Sequence, residues 1–229
     1  LGPARAEVAF VECELHNRMI MQQVPPALGA GRVRGEIGNL DVELVETTDL
    51  DAAIQHALEW EASWTADSER LVATAQFVAS LRRLVQHDRW AEIEVAMQKV
   101  PLGLDSCATA ELTLLQDEVD NRAIISGLTG SLSSGAPVGE VGELDLGQIA
   151  TQRLTNAVSF SETTGCKTLA ASSLLGLARS VLGVRTALVA GGFAAVGEDS
   201  LRTTVESTPV GQPGRSELEL VLRTIESTP

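Results

Sequence analysis

The chain contains an internal repeat, and this feature restricts its fold more than any other. The segment Gly35–Val42 (Gly-Glu-Ile-Gly-Asn-Leu-Asp-Val) returns as Gly139–Leu146 (Gly-Glu-Val-Gly-Glu-Leu-Asp-Leu), 104 positions later. The same register pairs residues 6–54 with residues 110–158 without a gap, through identical residues and exchanges between apolar ones. Repetition at a fixed period indicates that one folding unit was used more than once.

Composition favours helix over sheet. Of the 229 residues, 44% are hydrophobic, only 3% are aromatic, and tyrosine is absent. Alanine and leucine are strong helix formers, whereas strands are enriched in aromatic and β-branched residues. The sequence therefore predicts an all-α fold with enough apolar side chains to bury a sizeable core.

Apolar residues spaced by three and four positions predict four helices in the first copy, over residues 4–24, 48–61, 67–85 and 88–99. We expect Pro25 and Pro26 to end the first of them, and Asp67 or Ser68 to cap the third. In the second copy we expect helices from Asp105 or Ser106 to about residue 126, over residues 151–160, and over residues 184–196.

To align the third helix of the second copy with that of the first, about seven residues must be missing from the second copy. That register pairs Arg82 with Arg179. It also assigns residues 169–182, which are rich in leucine and alanine, to a position whose counterpart in the first copy is amphipathic.

A glycine-rich connection follows the first helix of each copy. Glycines three positions apart, as in Gly35 and Gly38, indicate backbone angles that a Cβ atom would resist. Asp41 and its counterpart Asp145 are placed to cap the next element. A phosphate-binding loop is the alternative, but the glycine spacing is not Gly-x-Gly-x-x-Gly and no strand precedes it.

The repeat predicts two tandem helical units of about 104 residues, each with about four helices and one glycine-rich loop, plus the first helix of a third unit. The predicted boundaries are residues 1–109, 110–215 and 216–229. The third start is indicated by Ser-Glu-Leu-Glu-Leu-Val from Ser216, which aligns with Ala-Glu-Leu-Thr-Leu-Leu from Ala110 and with the segment from Ala6.

The formal net charge of −14 restricts the partners. Binding to nucleic acid or to an anionic membrane requires clustered Lys and Arg, so neither is expected. The longest apolar run, residues 174–196, contains Arg179 and Arg185, which makes a membrane span unfavourable. A protein partner is expected, and the acidity also suits a basic one.

No residue set indicates catalysis, a cofactor or a metal. The histidines (His16, His56 and His87) lack metal-ligand spacing and do not recur between the copies. The three cysteines form no Cys-x-x-Cys pair, and their odd number favours reduced thiols and a cytoplasmic setting.

Two sets of residues are candidates for partner binding. Asn17 and Arg18 recur in register as Asn121 and Arg122. A Glu lies four residues before each Arg, so the alternative is a helical ion pair that orients the helix. Trp60 and Trp64, at helical spacing, form either a partner-binding patch or inter-helix packing.

The pattern resembles helical-repeat, α-solenoid-like array proteins in general, such as the tetratricopeptide and HEAT classes. Its unit is much longer than theirs and lacks their signature residues, so the resemblance implies an architecture and no site. We expect a non-enzymatic scaffold or protein–protein interaction module, belonging to a larger protein. The alternatives are a structural spacer in a cytoskeletal or organellar assembly, and an enzyme or small-ligand sensor with a pocket between the repeats.

Overall fold

The structure is a computed structural model that describes residues 3–100, 104 and 106–227. The all-α prediction is confirmed: the described residues form nine helices and two small two-stranded sheets. The chain divides into two compact units, residues 1–119 and 120–229. Each unit has its own core and is described by itself.

The first unit contains four helices, a short hairpin and the beginning of a fifth helix. In chain order these are α1 (Pro3–Gly29), β1 (Gly35–Glu36), β2 (Asn39–Leu40), α2 (Thr48–Leu58), α3 (Ala66–Gln86), α4 (Trp90–Met97) and α5 (Thr109–Leu132). The predicted start of α5 at Asp105 lies outside the described residues. α1, α2 and α3 pack on one another around a cluster of Ile, Leu, Val and Ala side chains that includes Ile20, Leu50 and Leu71.

α1 does not end at its two prolines, so that prediction is wrong. The helix continues through Pro25 and Pro26 to Gly29. Proline has a helix-compatible φ, and its cost in a helix comes from the missing N–H and from its ring. The carbonyls left without a donor belong to Met21 and Gln22, which are exposed to water, while Val24 and Leu28 of the same stretch are buried in the core.

α3 begins one residue earlier than predicted and is capped by a different residue. Thr65 is the N-cap: its hydroxyl accepts a hydrogen bond from the Ser68 amide, and the Ser68 hydroxyl accepts one from the Thr65 amide. Ser68 thus occupies the third helical position of a capping box, and Asp67 is not the cap.

Each glycine-rich connection forms a small antiparallel hairpin where a loop was expected. β1 pairs with β2, and in the second unit β3 (Val138–Glu140) pairs with β4 (Glu143–Asp145). Gly35, Gly38 and their counterparts Gly139 and Gly142 all have positive φ, as the spacing predicts. Asp145 caps the next turn by accepting from Gly147 N–H, whereas Asp41 makes no such bond.

The second unit contains the remainder of α5, the hairpin β3–β4 and four further helices. These are α6 (Gln152–Thr164), α7 (Leu169–Gly191), α8 (Glu198–Ser207) and α9 (Arg215–Ser227). Their buried apolar side chains form one core, which includes Leu128, Leu154, Ala178, Val181 and Leu218. The segment predicted to open a third unit is α9, and α9 packs on α8.

The predicted pairing of Arg82 with Arg179 is wrong. The N-caps of α3 and α7 are Thr65 and Thr168, which are 103 positions apart, so Arg82 corresponds to Arg185. Arg179 lies on the surface and forms an ion pair with Glu162. The predicted separate helix over residues 184–196 is also wrong, because α7 continues to Gly191 and ends at Gly192, whose φ is +64°.

α7 and the turn after it form a described helical stretch, Leu169–Ala195, that is long and apolar enough to cross a membrane by length and composition alone. One third of its most apolar window (33%) is buried within the structure.

Candidate interaction site

A fully buried arginine lies at the centre of the first unit. Arg82, on α3, is 0% exposed and faces Glu111 on α5, which is 6% exposed. The guanidinium binds the carboxylate with two parallel hydrogen bonds, Nε to Oε1 at 2.9 Å and Nη2 to Oε2 at 2.8 Å. This bidentate geometry matches the planar fork of arginine and is unavailable to lysine.

Three backbone carbonyls accept the remaining N–H groups of Arg82. Nη2 donates to Leu28 O at 2.6 Å, and Nη1 donates to Ala30 O at 2.7 Å and Glu46 O at 3.3 Å. A guanidinium has five N–H donors, and all five therefore have an acceptor. We call Arg82 and these three carbonyls the first arginine socket, and Glu111 its closing glutamate.

The first socket is assembled by the end of α1 and the turn before α2. The last carbonyls of a helix lack intrahelical donors and carry partial negative charge, so a cation is stabilised there. Leu28 and Ala30 supply two such carbonyls. Gly31, with φ of +59°, accepts a hydrogen bond from Glu46 N–H at 2.9 Å and so holds the third carbonyl in place.

The second unit contains a second arginine socket with the same set of bonds. Arg185, on α7, is also 0% exposed and binds Glu217 on α9, with Nε to Oε1 at 2.8 Å and Nη2 to Oε2 at 2.7 Å. Its other N–H groups donate to three carbonyls, at 3.1, 2.6 and 3.2 Å: those of Leu132, Ser134 and Ala150.

The two sockets use matching positions of the sequence. Each carbonyl of the second socket lies 104 positions after its counterpart: 28 and 132, 30 and 134, 46 and 150. The arginines are 103 positions apart and the closing glutamates 106 apart. Glu217 of α9 binds Arg185 through the same pairs of atoms, Nε–Oε1 and Nη2–Oε2, through which Glu111 of α5 binds Arg82.

A second contact accompanies each closing glutamate, seven residues (about two helical turns) further along the same helix. In the first unit the hairpin amide of Gly38 donates to Glu118 Oε2 at 2.5 Å. In the second unit the hairpin amide of Gly142 donates to the Thr224 hydroxyl at 3.3 Å. Gly38 and Gly142 are counterparts, as are Glu118 and Thr224, so the hairpin binds the closing helix in the same way twice.

The two sockets differ at one bond. Val33 N–H donates to Glu111 Oε1 at 3.0 Å in the first unit. The position 104 residues later is Pro137, which has no N–H to donate. The carboxylate of Glu217 therefore lacks this additional donor.

These ion pairs are expected to specify packing more than to add net stability. Burying two charges costs several kcal/mol per ion, which their attraction and hydrogen bonds largely offset, while removal of one partner costs about 3–5 kcal/mol. A helix that lacks a glutamate at the matching position would leave the guanidinium unpaired. We therefore expect the sockets to favour a helix that carries a glutamate at this position.

The predicted partner residues Asn17 and Asn121 lie inside their units. Asn17 is 8% exposed; its side-chain amide donates to Cys13 O and Ser63 O, and its carbonyl accepts from Thr65 and Ser68. It thereby joins α1 to the start of α3. Asn121 is 1% exposed and accepts from the hydroxyl of Thr168, the N-cap of α7.

Replacing Asn17 with alanine is expected to lower the free energy of unfolding by about 2–3 kcal/mol, because buried donors and acceptors would lose their partners. The matched change Asn121→Ala should also be destabilising, because Asn121 is buried and accepts a hydrogen bond from Thr168. Denaturant unfolding followed by circular dichroism measures both. Parent-like stability of either variant would contradict this structural role.

The two arginines of the predicted set lie on the surface. Arg18 is exposed and pairs with Glu14, four residues earlier, at 2.8 Å. Arg122 is also exposed. Contact of either arginine with a partner stays a prediction.

Trp60 and Trp64 are half-buried at the edge of the first unit's core. Trp60 stacks on His16, with ring centroids 4.9 Å apart and nearly parallel planes, and it also contacts the ring of His56. Trp64 Nε1 donates to Ala57 O at 3.0 Å. Both rings therefore pack between helices, and their use by a partner stays a prediction.

Among the described residues, no group of three His, Cys, Asp or Glu side chains is placed to hold a metal ion. No disulfide joins Cys13, Cys107 and Cys166 in the described part of the chain. A groove of about 670 Å³ in the second unit is lined by apolar, hydroxyl and amide side chains of α7, α8 and the segment after α8, such as Leu174, Ser173 and Gln212. Its described lining contains no titratable side chain.

The fold and the sockets define the class of this chain as an all-α protein with two units, each with one helix bound by a buried Arg–Glu pair. No family model, curated protein or solved structure matches it.

The arginine sockets were not found from the sequence. The alignment of Ala6-Glu7-Val8 with Ala110-Glu111-Leu112 and Ser216-Glu217-Leu218 already placed Glu7, Glu111 and Glu217 at equivalent positions. A buried cation opposite them would have followed from a register that paired Arg82 with Arg185. The alignment of Arg82 with Arg179 hides the recurrence of Arg82 as Arg185.

Proposed function

We propose that the chain is a non-enzymatic helical-repeat scaffold, a protein–protein interaction module of two tandem repeats of about 104 residues and the first helix of a third. The observation that supports it is the arginine socket, formed twice from matching positions. In both cases the closing glutamate comes from the helix with which the next copy of the sequence begins.

This arrangement suits an array. In repeat proteins each unit packs mainly on its neighbours, and stability is approximately a sum of unit and interface contributions. A socket that accepts only a helix with a correctly placed glutamate determines which helix follows which unit. A chain built this way presents an extended helical surface, and a net charge of −14 makes basic proteins suitable partners.

The proposal is tested by chemical cross-linking and mass spectrometry with the tagged 229-residue chain as bait. We expect a defined protein partner whose cross-links map to helical surfaces, with binding that weakens as salt increases because exposed charges are screened. Absence of any protein partner, together with turnover in substrate screens, would overturn the proposal.

Two bait variants separate binding by the packed units from nonspecific attraction to acidic protein. Arg82→Ala with Arg185→Ala should abolish capture, because both sockets are lost. Arg83→Ala with Arg179→Ala removes the same number of charges from exposed positions, 52% and 57% accessible, and should preserve capture. Equal capture by both variants would mean that the fold is not needed for binding.

A further inference from the structure

α1 contains the same closing helix pattern as α5 and α9, but it is not covered. Every described side chain from Arg5 to Glu12 is exposed. Four large apolar residues of α1 are more than half exposed: Val8 at 57%, Phe10 at 73%, Val11 at 63% and Leu15 at 55%. Such a face is unusual for a helix whose second half is packed into a core.

The counterparts of these residues are covered in both closing helices. Val11 corresponds to Leu115 and Val221, each 0% exposed. The other apolar positions follow the same rule, with Val8, Phe10 and Leu15 matching Leu112, Leu114 and Val119 in α5, and Leu218, Leu220 and Ile225 in α9, all buried or half-buried.

The polar positions of the pattern are present as well. Glu7 corresponds to the closing glutamates Glu111 and Glu217, which are 6% and 7% exposed, yet Glu7 itself is exposed. Glu14 corresponds to Glu118, which accepts from the hairpin amide of Gly38. In α1, Glu14 instead pairs with Arg18 on the surface.

We propose that the first half of α1 is a docking surface for a further unit of this same fold whose arginine socket is open. In this contact Glu7 closes the partner's socket, Val8, Phe10, Val11 and Leu15 become buried, and Glu14 accepts from the partner's hairpin. The inference rests on the repeat architecture proposed above and adds the partner that α1 recognises.

Charge complementarity and occupancy identify the partner. A buried guanidinium with three carbonyls requires a carboxylate, and Glu7 is one at the matching position. Both sockets of this chain are already closed, by Glu111 and Glu217. An intact second copy would have to release one of those helices, so the partner is a unit with an open socket.

The test is an extended chain in which residues 110–215 are placed directly ahead of residues 6–229. At this junction α1 follows the Arg185 socket in the position of α9, and residues 7–15 still occur once, so their peptides are unambiguous. We expect amide hydrogen exchange over residues 7–15 to slow by on the order of 100-fold relative to the 229-residue chain. Equal exchange in the two chains would overturn the proposal.

Matched substitutions in the extended chain test the carboxylate. Glu7→Lys should remove most of the protection. Ala6→Lys adds the same side chain one residue away, where the counterparts Ala110 and Ser216 are exposed, and should preserve it. Because both positions are exposed in the 229-residue chain, neither change should alter its unfolding. Protection unaffected by Glu7→Lys would contradict the assignment of Glu7.

A second measurement covers the case in which the extended chain does not fold. Removing residues 213–229 from the original chain opens the Arg185 socket, and the shortened chain should associate head to tail as its concentration rises in analytical ultracentrifugation. Glu7→Lys should suppress this association and Ala6→Lys should not. A shortened chain that remains helical and monomeric would count against the proposal.

Two other outcomes are distinguishable. Dimerisation of the intact 229-residue chain that is lost with Val11→Asp but unchanged by Glu7→Lys would assign the apolar face to a second copy and overturn this inference. Capture of a partner by the intact chain, without protection of α1 in the extended chain, would leave the interaction function standing while refuting this docking surface.

Discussion

Replacing Arg82 with alanine is expected to lower the free energy of unfolding of the first unit by about 3–5 kcal/mol, because Glu111 would remain buried without its cation. The carbonyls of Leu28, Ala30 and Glu46 would lose a donor at the same time. Domains are stabilised by only about 5–15 kcal/mol, so the change removes a large share of the total. Arg185→Ala should have an effect of the same size on the second unit.

Matched controls lie on the same helices, α3 and α7. Arg83→Ala and Arg179→Ala remove exposed guanidinium groups whose ion pairs contribute at most about 1 kcal/mol. Denaturant unfolding gives the free energies, and hydrogen exchange shows which unit loses protection. If Arg82→Ala cost no more than Arg83→Ala, the socket would have no structural role.

Replacing Arg82 or Arg185 with lysine is expected to retain little of the free energy of unfolding that the alanine variants lose. Its ammonium has three donors and no planar fork, so it cannot bind the carboxylate and three carbonyls together. Arg82→Lys and Arg185→Lys should therefore resemble the alanine variants more than the parent chain. Parent-like stability in the lysine variants would show that charge alone, without the bond geometry, is sufficient.

Gly135→Ala is expected to lower the free energy of unfolding of the second unit by about 2–4 kcal/mol. Gly135 has φ of +71°, and a Cβ atom there would lie 2.5 Å from Ala150 O, which is one of the carbonyls that bind Arg185. The methyl group would displace that carbonyl. Gly31→Ala should act in the same way in the first unit, where the Cβ atom would lie 2.5 Å from Glu46 O.

Gly165→Ala is the control within the second unit. Gly165 also has positive φ, +82°, but a Cβ atom there meets no other atom within 4 Å. It should cost only the strain of this sparsely populated backbone conformation, φ +82° and ψ 123°, about 1–3 kcal/mol. Thermal and denaturant unfolding of the two variants compare them directly, and a loss for Gly135→Ala no greater than that for Gly165→Ala would contradict the close approach.

Much of the helical content could be predicted from apolar spacing. The helix bounds were less predictable where a local rule competes with packing. Pro25 and Pro26 are strong helix-ending signals, yet α1 continues to Gly29, with the carbonyls they leave without a donor at exposed residues and with Val24 and Leu28 buried in the core. Sequence rules describe the cost of proline in a helix, and only the packed structure shows when burial offsets it.

The predicted alignment of α7 with α3 is wrong for a related reason. Leu and Ala residues occur on nearly all sides of this helix, so the apolar pattern alone does not distinguish one alignment from another. The two candidate arginines, Arg179 and Arg185, are six residues apart, which places them about 120° apart around the helix. One of them is exposed and the other fully buried.

The sequence by itself determined that the chain is helical, that its segments recur, and that Gly35, Gly38 and their counterparts need positive φ. These properties depend on composition, identity and local backbone sterics, which can be read along the chain. Tertiary structure alone decided the role of Arg82 and Arg185. Their acceptors lie up to 54 residues away from the arginine in sequence, and a buried charge is stable only where all of these atoms converge.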